Sequence, residues 1–379
     1  MRRISARTAN EGGWYCGRAV RASMIWRGFV WPFRRLACSS TVIYNGFCDT
    51  DMSSLENNLM QRILAVLVVL VFAGAAATAG AQDAWPSRPV KLIVPSSPGG
   101  GTDVFARLLA QYLTESTKQS FIVENKPGAS GNIGAQAAAT ATPDGYTFLV
   151  AANASIAINH FLLKSPNLDV ERDLVPVARG VIAISVLVVN PAVPAKDLAA
   201  FVALAKKQPD ALTFGSAGTG TSPYLGVRMM EEVAGTKFLH IPYKGVAPAY
   251  QDLLAGRLQF MYSDLASALP YIESGKVTAL AVDRKTSLLP NVPTFADAGW
   301  AKFDSPISFS VMAPARVPPA IVQRMAVEVN KALKAIGPRL EQQALVPVFD
   351  TPAEFATSLN AERTMWGTFI LRNNITVDQ

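Results

Sequence analysis

The residues that carry covalent chemistry are scarce in this chain. Its three cysteines, Cys16, Cys38 and Cys48, all lie near the N-terminus. The remaining stretch therefore has no disulfide, thiol nucleophile or thiolate metal site. There are two histidines, His160 and His240, far apart and without metal-ligand spacing. Each reads more simply as a structural histidine than as a base or ligand. A serine triad needs a histidine base and usually a nucleophile elbow, and the sequence contains no G-x-S-x-G. It also lacks G-x-G-x-x-G, and Gly99-Gly100-Gly101 runs into Thr102-Asp103 rather than the Lys-Ser/Thr of a phosphate loop. Close Asp/Glu pairs with opposed roles are missing too. The expectation is a protein that binds rather than reacts: not an enzyme, with no cofactor and no metal.

The ends differ from the middle. Residues 1–59 hold eight arginines, no lysine, three of the six tryptophans and no helical or strand period. They read as a non-native or disordered extension, from a start assigned upstream of Met52 or Met60. Residues 60–81 then read as a signal peptide. Arg62 supplies the positive region, Ile63 to Ala77 is uncharged and apolar, and Ala79-Gly80-Ala81 is a cleavage site before Gln82. The apolar run is shorter than the roughly 20 residues of a membrane span, and no cysteine follows for a lipid anchor. This predicts a periplasmic chain of 298 residues, 82–379, with 26 basic and 24 acidic side chains. The overall net charge of +7 thus belongs mostly to the leader, and near-neutrality argues against nucleic acid.

What is present is glycine, hydroxyl and amide, arranged twice in the same way. Val90 to Val94 is a β-branched and aliphatic run suited to a buried strand. Pro95-Ser96-Ser97-Pro98-Gly99-Gly100-Gly101-Thr102-Asp103 follows, and Phe105, Leu108, Leu109, Tyr112 and Leu113 then recur at helical spacing. Thr102 or Asp103 is the expected N-cap. In the second half, Leu212-Thr213-Phe214 leads through Gly215-Ser216-Ala217-Gly218-Thr219-Gly220-Thr221 to a helix with Ser222 as N-cap and Pro223 next. A helix start has unpaired N–H groups and a partial positive charge, so such a loop can hold an anion without a basic side chain. Asp103 would have to turn away. Ala152-Asn153-Ala154-Ser155, at the end of the strand beginning at Thr147, is small enough to admit a ligand.

Between these loops, apolar runs alternate with amphipathic ones. Strands are expected at Phe121–Val123, Val175–Ala178, Ile182–Val189, Phe238–Ile241, Leu258–Tyr262, Val277–Val282 and Ile307–Met312. Helices are expected at Ala135–Thr140, Leu198–Ala205, Ala247–Leu254, Pro270–Ser274, Pro318–Ile336 and Pro352–Leu371. This alternation predicts an α/β fold with mainly parallel sheet.

Several segments, in order and spacing, carry a family likeness. They are Pro-Gly-Gly-Gly-Thr-Asp (98–103), Glu-Asn-Lys-Pro-Gly-Ala-Ser-Gly-Asn-Ile-Gly (124–134), Pro-Asp-Gly-Tyr-Thr (143–147), Ser-Ala-Gly-Thr-Gly-Thr (216–221), Pro-Tyr-Lys-Gly (242–245) and residues 268–282. Together they resemble the tripartite tricarboxylate transporter solute receptors, the Bug-type periplasmic binding proteins. The resemblance implies a two-domain, type II periplasmic-binding-protein-like α/β fold, with residues 82–185 plus 305–379 as one lobe and 186–304 as the other. It implies an organic carboxylate held in the interlobe cleft by loop amides and hydroxyls. Carried over by position, the binding residues would be Ser96, Ser97, Gly99, Gly100, Gly101, Thr102 and Asp103; Ala152, Asn153 and Ser155; Ser216, Ala217, Gly218, Gly220 and Thr221; and Ser263 with Asp264. The implied partners are membrane components of a transporter or a sensor kinase, and the implied state is a monomer.

The chain departs from the family pattern near the expected pocket. Ser96 and Ser97 replace a phenylalanine and a proline. Met261-Tyr262-Ser263-Asp264 stands where Met-Phe-Asp-Asn is common, and Tyr224 stands where histidine is frequent. Two other readings compete. An α/β enzyme is disfavoured by the histidine and cysteine census, and a regulator's effector domain would need a basic helix-turn-helix that residues 1–59 do not offer.

Overall fold

A computed structural model describes residues 85–162 and 168–376. The expectations for the extension (1–59) and the signal peptide (60–81) lie outside these residues. The apolar run at the start becomes strand β1 (Val90–Val94), which lies parallel between β2 (Phe121–Asn125) and β3 (Thr147–Ala152), with Leu92 paired to both Val123 and Phe148. Helices α1 (Gly101–Thr117) and α2 (Asn132–Ala139) make the crossovers. The next strand, β4 (Leu174–Ala183), ends at Ile184, where the chain passes into a second sheet. There Ile184 N donates to Ala344 O, and Leu265 N donates to Ile184 O, so the crossing residue is held from both sides.

The second sheet contains β5 (Ser185–Val189), β6 (Thr213–Ser216), β7 (Leu239–Pro242), β8 (Phe260–Asp264) and β9 (Thr278–Val282). Its helices are α3 (Leu198–Lys207), α4 (Ser222–Ala234), α5 (Val246–Leu254) and α6 (Leu265–Glu273). The chain then returns along residues 283–306 to add β10 (Ile307–Pro314), α7 (Pro319–Glu341), β11 (Leu345–Val348) and α8 (Pro352–Arg372). Strand order is β11-β4-β10-β3-β1-β2 in the first sheet and β7-β6-β8-β5-β9 in the second.

Both sheets are mixed, which corrects the mainly parallel expectation. Only the β1–β2, β1–β3, β6–β7 and β6–β8 pairs are parallel. The reason is topological: β10 re-enters from the other lobe and so runs against both β3 and β4. Phe105, Leu109 and Leu113 of α1, with Val329 and Leu333 of α7, are fully buried in the core of the first lobe. In the second lobe, Phe201 and Phe238 pack on Phe260 at centroid distances of 4.9 and 4.7 Å. Ring pairs of this kind add about 0.5–1.5 kcal/mol each beyond the area they bury.

Four helix starts differ from expectation. Helix α2 begins at Asn132 rather than Ala135. The N-cap of α1 is Gly100, not Thr102 or Asp103, because the Asp103 carboxylate folds back onto Gly99 N at 3.0 Å. The N-cap of α4 is Thr221 rather than Ser222. Helix α6 starts at Leu265, before the expected Pro270, because Asp264 caps it by accepting from Ser267 N at 2.8 Å.

Candidate functional site

Five helix N-termini meet at one cavity of about 820 Å³. From the first lobe come the start of α1 (Gly100–Thr102) and the start of α2 (Gly131–Ile133). From the second come those of α4 (Thr221–Pro223), α5 (Gly245, Val246) and α6 (Asp264), and Ile307 and Phe309 of β10 close the wall. Each helix leaves its first amides without an intrahelical acceptor. Away from the cavity, Asp197 caps α3 and a Thr351–Glu354 capping box closes α8. At the cavity, α1, α2, α4 and α5 have no side-chain cap. Side-chain capping is the ordinary way to satisfy these donors. Its omission at four starts around one space, as also at α7, leaves first-turn amides there without a capping side chain, although Gly101 N donates to Ser267 Oγ and Asn132 N to Ala129 O.

The lobes touch across the cavity. Ser97 Oγ donates to Lys244 O at 2.8 Å, and Ser130 Oγ donates to Thr219 O at 2.6 Å. Gly101 N donates to Ser267 Oγ at 3.1 Å. Gly245 sits against Ser97 with φ +141°, and a Cβ there would collide with Ser97 Oγ, so this approach requires glycine.

Of the residues expected from the sequence, Ser96, Ser97, Gly100, Gly101, Thr102, Ala152, Ser155, Ala217, Gly218, Thr221 and Asp264 line the cavity. Ser96 Oγ is buried with no protein partner among the described residues. Six others do not line it, five of them buried and Gly99 exposed. Asp103 is buried and turned away, accepting from Gly99 N, from Arg107 Nε at 2.9 Å and from Asn125 Nδ2 at 2.9 Å. Burial raises its pKa, but these three bonds and the Arg107 charge outweigh that and hold it below the ordinary range. Gly99 supplies one of those donors from φ +86°. Ser216 is buried and its Oγ pairs with His240 Nε2 at 2.7 Å. Burial, then the Arg228 charge, push His240 down to about 4, so this histidine is neutral and structural. Gly220, at φ +91°, abuts Leu162, where a Cβ would come within 2.7 Å of Cδ1. Ser263 is fully buried in β8, with Oγ donating to Asp264 O at 3.3 Å.

Asn153, the sixth, is fully buried and joins three parts of the chain. Its Nδ2 donates to Pro306 O at 3.0 Å and to Glu362 Oε1 of α8, and its Oδ1 accepts from Ser222 Oγ at 2.6 Å. Burial pushes the Glu362 carboxyl up, and the bond from Asn153 opposes that. Asp264 is likewise pushed up by burial, against two bonds from Ser267.

Sequence reasoning assigned no binding role to Gly128–Ile133 or to Tyr243–Val246, yet both line the cavity. The signal was available, because each is a glycine turn feeding a helix. Lys244, which was not among the binding residues carried over by position, is the one cationic residue among the described lining residues.

Residues 105–371 match the family model described as the tripartite tricarboxylate transporter family receptor. The chain belongs to that receptor family. A curated relative is BugT of Bordetella pertussis, 36% identical over 313 residues, covering 81% of this chain and 96% of BugT. Among solved structures, one described as a periplasmic transporter is 36% identical with TM-score 0.74, covering 78% of this chain and all of that one. An R. palustris protein solved with adipate is 29% identical with TM-score 0.73, covering 77% and 100%. MatC from Rhodopseudomonas palustris, with bound malate, is 27% identical with TM-score 0.71, covering 76% and 100%. As a member of this family the receptor is a solute-binding protein of the transport type and not an enzyme, with the two-lobe α/β fold of periplasmic binding proteins. Among the described residues no helix is long and apolar enough to cross a membrane.

Proposed function

We propose that this receptor captures a small organic carboxylate between its lobes and presents it to the membrane components of a tripartite tricarboxylate transporter. The observation that carries this reading is the set of four uncapped helix starts, α1, α2, α4 and α5, around one cavity. A carboxylate there accepts from helix-start amides that no capping side chain occupies, and it gains the favourable end of several helix dipoles. The buried, unpartnered Ser96 Oγ and the Lys244 side chain add a donor and a charge. The relatives solved with adipate and malate support the same ligand class.

In this proposal one lobe is 82–185 plus 305–379, the other is 186–304, and a single copy of the chain completes the binding site. Gly100 to Thr102 and Ala217, Gly218, Thr219 and Thr221 hold the anion from opposite sides, while Gly99, Asp103, Asn153, Ser216, Gly220 and Ser263 keep those loops in shape. Export by cleavage after Ala81 delivers the receptor to the periplasm.

Native mass spectrometry of protein recovered from the periplasm tests the reading. The expected result is a monomer beginning at Gln82 that carries, or on titration takes up, one organic carboxylate. A receptor that binds only amines or neutral sugars would overturn it.

A further inference from the structure

The cavity carries one acidic side chain among its described lining residues, and it is placed oddly for an anion site. Asp264 is 5% exposed and caps α6. Its Oδ1 accepts both bonds from Ser267, from N at 2.8 Å and from Oγ at 2.8 Å. Ser267 Oγ in turn accepts from Gly101 N of the opposite lobe at 3.1 Å. Oδ2 takes none of the hydrogen bonds made by the described residues. A cap needs only one acceptor oxygen, which Ser, Thr or Asn provides without burying a charge. The carboxyl therefore exceeds what the helix requires, and Asp264 lines the same cavity as four helix starts that have no side-chain cap. A plain carboxylate bound beside it would set like charges together, whereas a donor group on the ligand would meet an acceptor.

We infer that Asp264 is a specificity-determining residue, whose Oδ2 accepts a hydrogen bond from a hydroxyl or ammonium substituent on the bound carboxylate. The receptor then selects hydroxy or amino carboxylates over their unsubstituted parents. This rests on the carboxylate reading above, and it narrows the ligand class within it.

Calorimetric titration with two matched sets tests it: succinate, malate and aspartate, then glutarate, 2-hydroxyglutarate and glutamate. In at least one set, a substituted member should bind tenfold or more tighter than its parent. Preference for malate or 2-hydroxyglutarate identifies a hydroxyl, and preference for aspartate or glutamate an ammonium. Asp264→Asn keeps the capping oxygen and the size but puts a donor at Oδ2, so the preference should fall to threefold or less. If in each set that binds the unsubstituted parent binds as tightly as both its derivatives, the inference is overturned while the carboxylate reading stays intact. That outcome would mean that Asp264 is protonated and donates to the ligand's carboxylate. A preference that survives in folded Asp264→Asn protein overturns it as well. If no member of either set binds, native mass spectrometry of the periplasmic protein decides: a co-purified carboxylate bearing no hydroxyl or ammonium overturns the inference alone, and the absence of any bound carboxylate overturns the carboxylate reading with it.

Discussion

Ser222 Oγ donates to Asn153 Oδ1 across 2.6 Å, tying the first turn of α4 in one lobe to the end of β3 in the other. Asn153 Nδ2 extends the tie to Pro306 O on the returning chain and to Glu362 in α8. Three hydrogen bonds thus meet at one fully buried amide. Asn153→Ala should therefore leave several buried polar groups unpaired. Each such group costs about 1–3 kcal/mol, so a loss of about 2–4 kcal/mol is expected, read as a lower denaturation midpoint in urea. A midpoint equal to that of the parent protein would show that the amide holds nothing.

Closure should follow the ligand. Ser97 with Lys244, Ser130 with Thr219, Gly101 with Ser267 and Asn153 with Ser222 are contacts that a hinged, open form would lose. X-ray scattering of ligand-stripped protein should give a larger radius of gyration than that of the ligand-saturated protein. Equal radii would mean that these contacts persist without ligand.

Gly100 lies where the lobes meet. A Cβ built there comes within 3.1 Å of Val246 Cγ2 in α5 of the other lobe, closer than side chains normally tolerate. Gly100→Val should obstruct closure and crowd the amides of α1, weakening binding on the order of a hundredfold, the equivalent of about two charge-assisted hydrogen bonds. Gly100→Ala should weaken it less. Calorimetry on both variants decides the matter, and wild-type affinity in Gly100→Val would remove α1 from the binding surface.

Lys244 holds its loop through its backbone, since its carbonyl accepts from Ser97 Oγ, while its exposed side chain reaches the cavity. An exposed charge contributes about 1 kcal/mol or less and is screened by salt. Lys244→Met should then lose fivefold or less in affinity, and the difference should shrink in 0.5 M salt. If Lys244→Met abolishes binding while Gly100→Val is tolerated, a direct cation grips the ligand and the helix-terminus mechanism is wrong.

His240 gives the receptor a pH signature. Its folded pKa, about 4, lies below the ordinary 6.5 because of burial and then Arg228. The unfolded chain takes up a proton as pH falls through 6.5, and the folded protein resists until about 4. Stability contributed by the neutral ring is thus complete above pH 6.5, lost progressively down to about 4, and constant below that. The loss is on the order of 1–3 kcal/mol. Subtracting the melting profile of His240→Phe from that of the parent isolates this step from the buried carboxyls Asp264 and Glu362. A flat difference between pH 7 and 4 would show that His240 is not a neutral, buried ring.

The local grammar of strand, glycine loop and helix was legible in residues. Val90–Val94, the turn at 95–100, α1 and the start of α4 were all expected near where they fall, because β-branched runs, glycine and helical spacing act over a few residues. The sequence by itself also determined that no cysteine follows Cys48 and that only two histidines do, and it carried the family pattern. What only the tertiary structure decided is which side each residue faces. Asp103 and Thr102 are neighbours, yet one turns to Arg107 and Asn125 while the other lines the cavity. Lys244 and Ser97 are 147 residues apart and become bonded partners. The antiparallel placing of β10 depends on a crossing segment that joins the two lobes, and nothing in the apolar run Ile307–Met312 states its direction. Periodicity reports which residues are buried, because burial repeats along the chain. It carries no information about the residue that comes to lie opposite, because that is set by how two sheets and eight long helices close on one another.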